Sequence, residues 1–341
     1  MVDKTLDFYL PNELNASLPP EERGIRRDHV RMMMLDRSYG KIQHDLFFHL
    51  PEHLQQGDLV ILNNSRTIPA VFKVKRLGNG KIVTKVEVRL ARRLTEDTWE
   101  ALIVQDYTNI GDTFIFAPEL SAKVIGIKEN TPLAILKFPK KGSDLLNMFY
   151  RLGEPVRYEY INHPWDLDYY QTVFASHPGS VEMPSAGRAF SWELLFTLMR
   201  KGIQVDFIQL HTGLSYLLDD KWHQTPEENE EEYHISEQTK QRILKTKAAG
   251  KRVIAVGTTV VRALETFAIS GALSGVTNLY INQHFPLKIA DGIITGFHEP
   301  KASHLDMLSA FISKQHLLQA YDDAIDAGYL WHEFGDMNLI I

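Results

Sequence analysis

The sequence contains no cysteine. That excludes disulfides, thiolate metal sites, iron–sulfur clusters and thiol nucleophiles, so any chemistry here must be carried by oxygen, nitrogen or backbone groups. No apolar run approaches the roughly 18 residues that a membrane span requires. The opening stretch MVDKTLDFYLPNEL has neither an apolar signal core nor a cleavage site, so the expectation is a cytoplasmic protein with no membrane partner. No G-x-G-x-x-G occurs and no phosphate-loop lysine follows a glycine turn, which removes the usual signals for dinucleotide binding and for cradling nucleotide phosphates. Excess positive charge is missing too: a net charge of −6 offers a polyanion no global attraction.

What is present is enough chain for more than one core, since 341 residues exceed the roughly 250–300 that a single core reaches. DLVILNN (Asp58 to Asn64) is a short apolar run ending in turn residues. AVFKVKR, KIVTKVEVRLARRL, WEALIV, GDTFIF, AKVIGI and LAILKF then follow at close spacing with a period near two, which predicts a small β-barrel over residues 67–153. Beyond residue 153 helices and strands alternate. SWELLFTLMRKG reads as a helix capped by Ser191 and stopped by Gly202, VDFIQLH as a strand ending at His211, and SEQTKQRILKTKAAG as a second capped helix. RVIAV reads as a buried strand, TTVVRALETFAISG as a helix, LYIN and GIIT as later strands, and SHLDMLSAFI and LLQAYDDAIDAG as closing helices. The predicted fold class is α/β: a mixed α/β main domain, residues 1–66 plus 154–341, with an inserted small β-barrel domain, residues 67–153.

Several stretches carry candidate chemistry. PSAGRAF, Pro184 to Phe190, places a tight turn before an arginine, and a turn that brings backbone close to whatever lies above it suits a ligand. In AVGTTVVR a strand, a glycine turn and a helix succeed one another. Gly257 permits close approach, and Thr258 or Thr259 can cap the helix, leaving N–H groups and a positive dipole end for a carboxylate. His211 stands at a strand end before Gly213, where α/β sheets place ligand groups; a structural imidazole is the equal alternative. Asn64, Ser65 and Arg66 gather an amide, a hydroxyl and a guanidinium that can clamp a carboxylate or phosphate, or else join two domains by a salt bridge. His298 and His304 stand six apart with Pro300 between them, unlike the four-residue spacing of a helical zinc pair, so no metal is expected. Between Arg66 and Arg93 nine cations face one acid, Glu87; this stretch can meet RNA or be a solvated sheet face. The acidic run EENEEEY, Glu227 to Tyr233, reads as a solvated loop.

Taken together, RRDHVRMMMLDR, GDLVILNNSRTIPA, YQTVFA, GS followed by PSAG, QLHTGL, RVIAVGTTVVRALE, DGIITGFHEP and FGDMNLII resemble the S-adenosylmethionine:tRNA ribosyltransferase-isomerase family of the queuosine pathway, over nearly the whole chain. The resemblance implies an α/β domain with an inserted barrel. It also implies a reaction without cofactor or metal, in which the ribosyl part of S-adenosylmethionine moves onto a 7-aminomethyl-7-deazaguanine base in tRNA and rearranges to an epoxycyclopentane, releasing adenine and methionine. S-adenosylmethionine and tRNA are then the partners. Such chemistry needs a base for the proton beside the sulfonium, groups that recognise the base, and an anchor for the methionine carboxylate. On this reading His211, His298 and Glu299 are the proton-moving candidates. Asn64, Ser65, Arg66, Pro184, Ser185, Ala186, Gly187, Arg188, Gly213, Gly257, Thr258, Thr259 and Phe297 are the substrate-binding ones.

The chain departs from the family's P-T-A-G-L-H-F pattern at Ser185, Arg188 and Ala189, the last replacing a histidine. It has no histidine pair in the segment from Pro226 to Tyr233, and VQDY, Val104 to Tyr107, stands where the family carries P-G-K-R. Thr212, Ser215, Gly296 and Glu299 also differ. Besides the family reaction, the sequence leaves open a diverged paralogue with another acceptor and a noncatalytic nucleoside- or RNA-binding protein.

Overall fold

The computed structural model describes residues 6–78, 81–104, 108–129, 131–215 and 228–341. Among them, nine strands form one sheet in the spatial order Ser274–Thr277, Glu231–His234, Gln204–Leu210, Leu59–Asn63, Val253–Val256, Gly292–Gly296, Met337–Ile340, Arg31–Leu35 and Ile42–Leu46. The four middle strands from Gln204–Leu210 to Gly292–Gly296 run parallel. Leu59–Asn63, Val253–Val256 and Gly292–Gly296 are short buried runs because both their faces are covered, as parallel sheets require. Leu59 and Ile61 face one core with Ile243, Val260, Leu264 and Leu317. Val60 and Leu62 face another with Leu194, Leu195 and Leu198. The period of two along Leu59–Asn63 thus divides one strand between two helical layers.

Six strands, Val71–Gly78, Lys81–Arg93, Thr98–Ile103, Thr113–Ala117, Leu120–Ile127 and Leu133–Lys137, close into a barrel. The helix Gly142–Leu152 packs on it through Leu145, Met148 and Phe149, and the Phe149 ring meets Phe72, Trp99 and Phe138. The chain enters and leaves side by side: Glu154 donates to the Val71 carbonyl, and its own carbonyl accepts from Ala70 and Val71, each at 2.9 Å. A side chain at Gly153 would stand 2.7 Å from the Phe72 ring and 3.0 Å from the Pro69 carbonyl, so this exit admits only glycine.

The expected helices form at Trp192–Arg200, Glu237–Ala248, Thr258–Ser270, Ser303–Leu308 and Lys314–Asp326. The Ser191 and Ser236 hydroxyls accept from the N–H groups of Leu194 and Thr239, both at 3.0 Å, as N-caps do. Three expectations are corrected. LYIN is not a strand; the sheet edge is Ser274–Thr277, paired to Glu231–His234. The acidic segment is not a solvated loop over its described part, because Glu231 and Tyr233 are buried there; Pro226 and Glu227 lie outside the described residues. Thr258 and Thr259 do not cap their helix: Gly257 occupies the N-cap position, without a side chain to offer. Among the described residues no helix is long and apolar enough to cross a membrane.

Candidate functional site

The four parallel strands end, in spatial order, at Leu210, Asn63, Val256 and Gly296, so His211, Asn64, Gly257 and Phe297 follow directly along one edge. That carboxyl edge is where open α/β sheets bind ligands. The PSAG turn docks on it. Ser185–Gly187 forms one 3-10 turn, and a Cβ at Gly257, whose φ is 92°, would lie 3.2 Å from the Ala186 methyl. Gly187 is required from the other side, where a Cβ would meet the Phe174 ring at 3.0 Å and the Thr172 methyl at 3.1 Å. Thr172 and Phe174 belong to YQTVFA, so three separated motifs meet on the two sides of the PSAG turn. Because Gly257 carries no capping oxygen, the first N–H groups of Thr258–Ser270 have no side-chain cap. The Thr259 hydroxyl beside them lies 3.4 Å from the Asn63 amide nitrogen.

His211 sits in a hydrogen-bonded chain. Its Nδ1 is 2.7 Å from Ser65 Oγ, which is 2.6 Å from Ser180 Oγ, and its Nε2 is 2.6 Å from the Gln209 amide nitrogen. With the Gln209 amide donating, the network assigns the imidazole proton to Nδ1. Burial, with the nearby Arg93 charge, holds its pKa down at about 4, so the ring is neutral at physiological pH. Gly179 makes room for it: a Cβ there would stand 2.6 Å from the ring. Gly213 seats the next turn against the barrel, where a Cβ would be 3.0 Å from the Ala91 carbonyl.

Arg188 does not reach solvent. Only 2% exposed, it donates to the Tyr169 carbonyl (2.7 Å) and to Glu21 (2.8 Å), and lies 4.9 Å above the Phe334 ring. Ala189 lines a cavity of about 10 Å³ together with Ser185, Arg188, His332 and Glu333. Where the family pattern carries histidine, this chain therefore has a methyl, and a histidine and a carboxylate reach the same space from the C-terminal segment. Arg66 is exposed, its guanidinium 5.4 Å from the Tyr150 ring. The Asn64 side-chain oxygen is buried with no hydrogen-bond partner.

Phe297 is 1% exposed, packed among Tyr321, Tyr329 and Trp331, so it seats the following segment in the core and does not face the cleft. His298 follows it, bonded to Thr295 Oγ1 at 2.9 Å and stacked on His304 with ring centres 4.6 Å apart. Burial pushes both imidazoles down, His304 to about 4 with help from the Arg262 charge. Arg262 itself pairs with buried Glu231 and donates to the Asn229 carbonyl at 2.8 Å. Glu299 is largely exposed, 3.7 Å from His332, and partial desolvation nudges its pKa up.

Sequence reasoning missed the groups between these points. The Tyr160 ring stacks with Tyr158 (5.8 Å, rings nearly parallel) and with His332 (4.3 Å), and its hydroxyl donates to Glu333. Tyr158 donates to Glu182 at 2.9 Å, and Glu182 also accepts from Ser215 N and Oγ, each at 2.8 Å. Tyr160 and Glu333 are 173 positions apart, and no local pattern links YEY to WHEF. The barrel arginines are largely neutralised from within: Arg76 by Asp112, Arg89 by Glu87, Arg92 by Glu100 and Glu230, and Arg93 by Glu232.

The family described as queuosine biosynthesis protein matches residues 3–340. S-adenosylmethionine:tRNA ribosyltransferase-isomerase of Carboxydothermus hydrogenoformans is 37% identical, with 99% of each chain covered, and that of Aquifex aeolicus 36% identical, with 98% of each covered. The crystal structure of S-adenosylmethionine tRNA ribosyltransferase from Thermotoga maritima is similar over 98% of this chain and 99% of that one, at 29% identity and a TM-score of 0.56.

Proposed function

Because the chain belongs to the queuosine biosynthesis protein family, we propose that it is an S-adenosylmethionine:tRNA ribosyltransferase-isomerase, acting on 7-aminomethyl-7-deazaguanine in tRNA and using S-adenosylmethionine as ribosyl donor, without a cofactor. The observation that carries this reading is the convergence of PSAG, VGTT, QLH and GFH on the carboxyl edge of four adjacent parallel strands. The uncapped N-terminus of Thr258–Ser270, with Thr258 and Thr259, anchors the methionine carboxylate: a helix dipole and free N–H groups favour an anion there. Pro184 to Gly187 supplies backbone that lies flat against the substrate. Arg188 holds that turn from behind, through Glu21 and the Tyr169 carbonyl.

Removing the proton beside the sulfonium calls for a neutral base. His211 and His298 are both neutral, and His298 lies in the histidine stack next to Glu299. His211 has both ring nitrogens engaged, so it serves to fix the Ser65–Ser180 chain, and His298 with Glu299 is the better placed pair for the proton. A single-turnover assay tests the reading: protein, S-adenosylmethionine and tRNA bearing the 7-aminomethyl base, with products followed by mass spectrometry. Release of adenine and methionine with epoxyqueuosine in the tRNA is the expected result. A folded protein that binds S-adenosylmethionine and releases neither would overturn it.

A further inference from the structure

We propose that Glu333, held by Tyr160 in a cluster completed by Glu182 and Tyr158, donates the proton that the departing adenine takes up. This rests on the functional reading above and adds a residue to it. The groups facing Glu333 are Tyr160, Tyr158 and Tyr170, Glu182, His332 and the guanidinium of Arg188, with Glu299 beyond His332.

The two carboxylates of this cluster are not equivalent. Glu182 accepts three hydrogen bonds, from Tyr158 OH and from Ser215 N and Oγ, all of which favour its charged form. Glu333 accepts fewer, from Tyr160 on Oε2 and from its own backbone N–H. Two carboxylates in one low-dielectric cluster do not both stay charged, so the less solvated one takes the proton. Burial and the Glu182 charge raise Glu333 to about 7, against the opposing pull of Tyr160, its own backbone N–H and Arg188. At neutral pH a substantial share of this carboxyl is therefore in its acid form and able to donate a proton.

Tyr160 is packed against both the Tyr158 and the His332 rings. Glu333 also lines the cavity that Ser185, Arg188 and Ala189 share beside the PSAG turn, which has room for about one water. In the proposed step the bond between the ribosyl carbon and the purine nitrogen breaks, its electron pair stays on the purine, and the purine takes the Glu333 proton. Glu333 is left as a carboxylate that the Tyr160 hydroxyl stabilises, and solvent reprotonates it.

The test is adenine release in single turnover by the full chain and its Glu333→Gln and Tyr160→Phe variants, followed across pH 5–9. For the unsubstituted protein the rate should fall as pH rises through about 7, since the acid form is the active one. Glu333→Gln, which keeps shape and packing, should lose about 100-fold or more and the pH limb with it, while S-adenosylmethionine affinity stays within about twofold. Tyr160→Phe removes a hydrogen bond to the carboxylate, so its limb should move to higher pH, a displacement that a purely structural tie would not produce. An active protein whose Glu333→Gln variant keeps its rate and pH profile overturns this proposal alone. An unsubstituted protein that releases no adenine overturns the functional reading and this proposal with it.

Discussion

Replacing Arg188 by alanine separates support from contact at a single residue. The guanidinium is buried and Glu21 is partly open, so the loss should fall between that of a buried pair and a surface one, about 2 kcal/mol in urea denaturation. Affinity for S-adenosylmethionine by calorimetry should change less than about threefold; a collapse of affinity at unchanged stability would make Arg188 a ligand contact. The sequence showed a turn followed by a cation but not which way the cation points. Its partners Glu21 and Tyr169 sit 167 and 19 positions away, and no spacing rule connects them. Gly179 was legible only as part of the GS that precedes PSAG; that it makes way for an imidazole 32 residues later depends on strand pairing. Gly179→Ala should push His211 off Ser65. The expected signature is a His211 titration in NMR spectra that moves up from about 4 toward 6.5, and an unmoved resonance would count against the packing described.

Elements were most readable where one physical signal sufficed. Leu59–Asn63, Val253–Val256 and Gly292–Gly296 are short apolar runs bounded by turns, and both their faces are buried. The edge strands were not readable: Ser274–Thr277 has three exposed residues of four, and LYIN is apolar without pairing, so hydrophobicity pointed to the wrong neighbour. Caps follow the same logic. Ser191 and Ser236 announced their helices, whereas Thr258 stood one position inside a helix whose N-cap is Gly257. Gly257→Ala tests that junction. At φ 92° a side chain is strained and its Cβ would press on Ala186, a cost of about 1–3 kcal/mol. If the bare N-terminus anchors the methionine carboxylate, affinity for S-adenosylmethionine should fall about tenfold or more while S-adenosine analogues without the carboxylate lose much less. Equal losses for both would remove the anchor from this helix.

Acid and polyanions act on the whole molecule. His211, His304 and His332 are each held at about 4, below the ordinary 6.5, chiefly by burial. The unfolded chain therefore takes up these protons first on acidification. Stability is full above about 6.5 and lost as pH falls toward 4, and the melting temperature should drop steeply across that window. Toward tRNA the net charge of −6 gives no attraction, so the docking charge must be local. The barrel arginines are mostly spent on internal pairs, but Lys75 and Lys85 are exposed and face each other across adjacent strands, an arrangement that costs the free protein stability. Lys123 and Lys137 repeat it on the opposite side of the barrel, with Asp97 only 3.7 Å from Lys137 as relief. A phosphate backbone lying over Lys75 and Lys85 would remove the repulsion between them. Lys75→Glu places opposite charges across the strands, so it should raise the melting temperature slightly, by about 0.5 kcal/mol of stability. It should weaken tRNA binding and reduce the slope of log affinity against log salt by about one. Filter binding between 50 and 200 mM salt, titration points chosen on the order of that known sensitivity, reads the slope directly. A stabilised variant with an undiminished slope would leave Lys75 and Lys85 without a phosphate partner and move the RNA to another face.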